Sequence, residues 1–162
     1  MTQKNHYNFI KSAVDGISGF YNGLDKYNQG IYSNQNARQN AGLLKLYGQN
    51  ALLRGTENER AYRIKGKEVK GTQKAALAGN GIALTSQTAL DILMQTDRTI
   101  EEDALTIRTN AAEEKRQYDL QAAQARIQGY LNRRSGQAGI ISGTTNLSMA
   151  LLNGSYNAGY WG

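Results

Sequence analysis

Three stretches of the chain carry apolar or small residues three and four positions apart, the spacing of one helix face. In the first, Ile10, Val14, Ile17, Tyr21, Leu24 and Ile31 form a stripe that predicts an amphipathic helix within residues 1–34. Gly16, Gly19, Gly23 and Gly30 interrupt it. Each glycine costs about 1 kcal/mol relative to Ala in a helix interior, but also permits close helix approach. In the second stretch, Ala37, Ala41, Leu44, Gly48, Ala51 and Gly55 repeat at 4-3-4-3-4, and Tyr62, Val69 and Ala76 continue the heptad. So narrow a seam of small residues suits tight packing against another helix.

Gly79-Asn80-Gly81 ends this helix, because Gly and Asn tolerate the left-handed backbone of a helix stop. Ile82, Ala83 and Leu84 are expected to tuck into the hairpin end, and Thr85 or Ser86 to cap the next helix. The third stretch keeps the spacing through Leu93, Asp97, Ile100, Ala104, Ile107, Ala111, Tyr118, Ala122, Ala125 and Gly129, with Asp97 out of character. The reading is an all-α protein: an elongated antiparallel helical hairpin over residues 35–134, turning at about 79–86. At 1.5 Å per residue its arms are on the order of 65–70 Å long. Residue i then faces about 165 − i, which brings Arg60, Arg63 and Lys65 toward Glu101, Glu102 and Asp103. Residues 135–162 alternate apolar pairs with Gly, Ser, Thr and Asn. They read as a Gly-rich tail, extended, loop-like or briefly helical around Leu147–Leu152.

Composition supports the helices and removes much chemistry. The 162 residues include 18 glycines and no proline, so the residue that breaks helices is absent. With no cysteine and one histidine, the chain excludes disulfides, thiol nucleophiles and a multi-histidine metal site. No phosphate-binding glycine loop or nucleophile elbow occurs. No catalytic, metal or cofactor residues are expected, and the protein reads as non-enzymatic. The N-terminus lacks the apolar core of a signal peptide, so standard export is not expected.

Net charge is +6, unevenly placed. Residues 54–78 carry seven basic and three acidic groups, and residues 135–162 carry none. Arg60, Arg63, Lys67, Lys70 and Lys74 step at 3-4-3-4 and form a basic stripe, suited to DNA phosphates, an acidic partner or lipid headgroups. The uncharged tail offers Leu151, Leu152, Tyr156, Tyr160 and Trp161 as anchors on a membrane or a partner chain.

Two runs carry a family resemblance. One is Gln73 to Ser86, reading QKAALAGNGIALTS, followed by Ala89-Leu90-Asp91-Ile92-Leu93. The other is Asp103 to Ala111, reading DALTIRTNA. Together they resemble the small internal virion proteins of short-tailed bacteriophages, also called core or ejection proteins. The resemblance covers about residues 35–130, and this chain has Gln87-Thr88-Ala89 where relatives often have Gly-Ser-Pro.

The resemblance implies a ring-like homo-oligomer packed in the capsid near the portal, beside other core proteins. It implies release to help form a channel across the host envelope, with host membrane contact; non-specific DNA contact is a reading of the basic stripe. A head-to-tail connector, tail or scaffold-like subunit that stays in the particle is the alternative. A cellular helical nucleic-acid-binding protein is a third reading.

Overall fold

The computed structural model describes residues 3–157, all in two helices and the turn between them. Helix α1 is Gln3–Gly79 and helix α2 is Gln87–Asn157. They pack against each other as an all-α helical hairpin. Neither helix ends at residues 34–35 or 134–135, where the sequence suggested segment boundaries. Residues 135–157 are helical throughout, where the sequence left an extended, loop-like or briefly helical tail open. The hairpin divides into two packed units, Met1–Gly42 with Ala122–Gly162, and Leu43–Gln121.

The turn follows from its glycine. Gly81 has φ +73°, the left-handed region that an L side chain rarely adopts. Its N–H donates to the Ala78 carbonyl, and the Ile82 N–H reaches back to Leu77, both at 3.0 Å. This pair of bonds is a Schellman closure of α1. Ser86 caps α2: its hydroxyl accepts from the Ala89 N–H at 3.4 Å, so Thr85 is not the cap. Ile82 and Leu84 remain partly exposed rather than tucked into the hairpin end.

In the first unit, glycines hold the helices together. A Cβ at Gly23 would lie 2.6 Å from the Gly139 carbonyl oxygen, and one at Gly30 would lie 2.7 Å from that of Asn132. From the other helix, a Cβ at Gly136 would lie 2.7 Å from the Lys26 carbonyl oxygen. Backbone therefore rests on backbone, and the glycine Cα hydrogens make the weak Cα–H···O contacts that recur at close helix crossings. Asn132 adds a side-chain bond to Ser33 at 2.6 Å.

Most of the apolar stripe expected to pack does not, only Leu24 and Ile31 being half-buried. Ile10 is 59% exposed and Ile17 48%, and Val14 and Tyr21 also face outward. Glycine occupies the packing face because a bulkier residue would separate the backbones.

The second unit uses alanine. Ala51, Ala104 and Ala111 are buried, and Ala111 sits where Gly55 lacks a side chain. Gly48 receives Tyr118, whose ring lies 6.0 Å from Tyr47. Across both units, Ala41, Gly48, Ala51 and Gly55 are buried, with Ala37 and Leu44 half-buried.

Beyond Gly55 the seam departs from the heptad. It runs through Glu59, Gly66 and Leu77, while Val69 and Ala76 are exposed. Opposite, it passes from Leu93 through Thr96 to Ile100, and Asp97 lies outside it. The steps from Gly55 to Gly66 to Leu77 are eleven residues, close to the undistorted helical repeat, whereas a strict heptad drifts by about 20° per repeat. Thr96 donates to Gln73 across the seam at 2.9 Å, and Ile100 fills the space left by Gly66. In both units the register stays close to the expected one: Gly16 meets Ala150, Gly55 meets Ala111 and Gly66 meets Ile100.

Replacing Gly30 or Gly136 by Ala will lower the melting temperature measured by circular dichroism, at a cost of about 1–3 kcal/mol from overpacking against backbone. Gly42 and Gly71 have open space around them. Ala at either will instead stabilise by about 0.5–1 kcal/mol. Equal effects at both pairs of sites would contradict a backbone-contact seam.

Candidate functional site

The basic stripe lies in the second unit, and the structure splits it in two. Arg63 and Lys70 point along the hairpin seam and are ion-paired. The Arg63 guanidinium reaches Glu101 on α2 through Nη2 at 2.9 Å and Nε at 3.2 Å, and its Nη1 holds Glu59 one turn back. Glu59 is buried, so this fork supplies the positive charge that a buried carboxylate requires. Lys70 pairs with Asp97. Arg60, Lys67 and Lys74, seven residues apart, are exposed and make no ion pair among the described residues. They form a row about 21 Å long at helical rise.

The acidic cluster is neutralised differently from the register-based expectation. Only Glu101 takes a stripe residue, Arg63. Asp103 accepts from the Tyr62 hydroxyl, and Glu102 pairs with Arg98 on its own helix at 3.0 Å. Arg54 contributes a further cross-hairpin pair with Glu114 at 3.1 Å. Lys65 instead lines a groove of about 480 Å³ with Tyr62, Gly66, Val69, Ile92 and Ile100.

The clamp titrates. The Arg63 guanidinium bonded to it holds the Glu101 carboxyl below its ordinary value, and the bonds to Glu101 and Glu59 push Arg63 further up. The Tyr62 hydroxyl is raised by its bond to the Asp103 carboxylate.

No family model, curated protein or solved structure matches this chain. The surface itself is therefore the guide to function. Among the described residues there is no cluster of His, Cys, Asp or Glu able to hold a metal ion, and no helix is long and apolar enough to cross a membrane.

What the surface does present is apolar. Among the described residues, all but one of the buried hydrophobic residues are alanines, the exception being Leu93. Many of the large side chains lie outside. Leu43, Leu53, Met94 and Leu105 are exposed in the second unit, and Ile10, Ile141, Met149 and Leu152 in the first. Of the tail anchors, Leu151, Leu152 and Tyr156 are exposed on α2, whereas Tyr160 and Trp161 lie outside the described residues. Gly79, Asn80 and Gly81 sit at the hairpin turn.

One grouping escaped the sequence reading. Arg38, Arg126, Tyr130 and Arg133, with Asn34, line a groove of about 400 Å³ in the first unit. Arg126, Tyr130 and Arg133 are spaced 4-3, so their shared helix face was readable. Joining Arg38 to them required the register through the glycines.

Glu101, whose carboxyl is depressed, stabilises the fold above its unfolded value, and that contribution fades as pH falls. Melting temperature is expected to drop as pH is lowered through about 4.5 and below. Glu101→Gln should melt lower than the wild type at pH 7 and show a shallower acid slope. Parallel slopes would assign the acid sensitivity to other carboxylates.

Proposed function

We propose that the chain is a non-enzymatic structural protein of a virion, of the small internal or ejection type found in short-tailed bacteriophages. In this reading it is packaged near the portal as part of a ring-like homo-oligomer and released to help build a conduit across the host envelope. The observation that carries the proposal is the inversion of side-chain size: alanine and glycine fill the hairpin seam, while leucine, isoleucine, methionine and tyrosine face outward. Exposed apolar surface on this scale calls for a covering partner.

The resemblance over Gln73–Ser86, Ala89–Leu93 and Asp103–Ala111 supports the virion assignment. The first of these runs spans the observed turn, where Gly81 closes α1 and Ser86 caps α2. The first unit also carries two apolar stripes on different helices, Ile10, Val14 and Ile17 on α1, and Met149, Leu152 and Tyr156 on α2. Unlike patches on one chain favour head-to-tail contacts between copies, which close into rings when the rotation allows. The exposed row of Arg60, Lys67 and Lys74 is available to acidic neighbours in such an assembly.

The test is the protein content of purified particles before and after DNA release, measured by quantitative mass spectrometry against the major capsid protein. An ejection protein will be depleted from emptied particles. Retention at the original ratio would assign the chain to the connector or scaffold-like class, and absence from intact particles would remove the virion reading.

A further inference from the structure

We propose that the groove lined by Arg38, Arg126, Tyr130 and Arg133 is a binding site for single-stranded nucleic acid, holding its phosphates on the arginines and a base on the tyrosine. This inference is independent of the virion reading. It rests first on uncompensated charge. The first unit contains seven basic residues, Lys4, Lys11, Lys26, Arg38, Arg126, Arg133 and Arg134, against two acidic ones, Asp15 and Asp25. Neither carboxylate lines the groove. Asp25 stands thirteen residues before Arg38 on α1, about 20 Å away at helical rise.

None of the three groove arginines makes an ion pair or hydrogen bond with a described residue. In the second unit, four of the six arginines, Arg54, Arg63, Arg98 and Arg116, are ion-paired. Guanidinium stays protonated at any physiological pH, so the like charges repel until an anion enters. Its planar fork matches two oxygens of one phosphate.

Geometry supplies the second support. Arg126, Tyr130 and Arg133 share a face of α2, and the outer two stand about 10 Å apart along the axis. Ala37 seats directly on Gly129, which sets Arg38 from α1 at a level between the two α2 arginines. Tyr130, 59% exposed, stands between them with its ring free to stack. An aromatic flanked by phosphate-binding cations is the arrangement of single-strand sites, where stacking accepts any base. The exposed row of Arg60, Lys67 and Lys74 contains no aromatic residue.

Fluorescence anisotropy with a labelled oligothymidylate of about twelve nucleotides tests the site. Wild-type protein is expected to bind. Arg38→Gln/Arg126→Gln/Arg133→Gln is expected to weaken binding by more than ten-fold and to flatten the salt dependence by about 0.7 per lost phosphate contact. Tyr130→Leu should weaken it by about ten-fold through lost stacking. Arg60→Gln/Lys67→Gln/Lys74→Gln, with the same charge removed elsewhere, should retain affinity. Circular dichroism checks that each variant stays helical; all these side chains are exposed, so the fold does not depend on them. The proposal is overturned by unchanged affinity in the groove triple variant or in Tyr130→Leu. It is also overturned by an equal loss in the stripe triple variant. Arginine-dependent binding to phosphatidylglycerol vesicles without oligonucleotide binding would overturn it in favour of a lipid surface.

Discussion

The contact between the Gly23 backbone and the Gly139 carbonyl, repeated at Gly30 and Gly136, sets the spacing of the first unit's helices, and there is no room for a Cβ at any of the three. Close approach gives up the main stabilising device of ordinary helical proteins, the interdigitation of large apolar side chains. Weak backbone contacts and dispersion over a long interface take its place. The second unit relaxes the constraint by one methyl group, with Ala51, Ala104 and Ala111 buried. There, Tyr118 on Gly48 and Ile100 on Gly66 are side chains from α2 set against glycines of α1.

Everything on the surface follows from that seam. Residues too large for it turn outward, which explains why Ile10, Ile17, Leu43, Leu105 and Leu152 are all exposed in a chain whose sequence is not rich in large aliphatics. Charge divides in the same way. In the second unit, Arg63, Lys70 and Arg54 pair across the hairpin with Glu101, Asp97 and Glu114. Exposed pairs of this kind contribute little stability but penalise slipped registers. In the first unit there are too few carboxylates for such pairing. One unit thus keeps its register partly by charge, and the other by glycine and alanine contacts and by the Asn132–Ser33 bond.

Much of the fold was legible because it depends on local signals. The absence of proline, the 3/4 spacing of small residues from Ala37 to Gly55, and Gly-Asn-Gly at the turn led to a helical hairpin and to a register that the contacts nearly match. Three features were hidden. The stripe Ile10–Ile31 looked like a packing face because hydrophobicity usually marks burial, yet steric fit selected Gly16, Gly23 and Gly30 instead. Residues 135–157 did not read as one continuous helix because Gly, Ser, Thr and Asn disfavour isolated helix, but Gly136, Gly139 and Gly143 lie against α1, and tertiary packing overrides propensity. The stutter after Gly55 depends on a change of repeat that a heptad count cannot anticipate. The basic stripe was readable as spacing, but which of its members are neutralised depended on Glu59, Asp97 and Glu101 lying beside Arg63 and Lys70.

The central claim is that this hairpin is completed by other chains, because its large apolar side chains lie outside its own seam. Sedimentation velocity over a range of concentrations, on the wild type and on Ile10→Glu/Ile17→Glu, tests it most directly. The account predicts reversible association of the wild type into a defined oligomer, and weakened association of the variant with helix content unchanged. A wild-type chain that stays monomeric at every concentration, with a melting temperature independent of dilution, would contradict it.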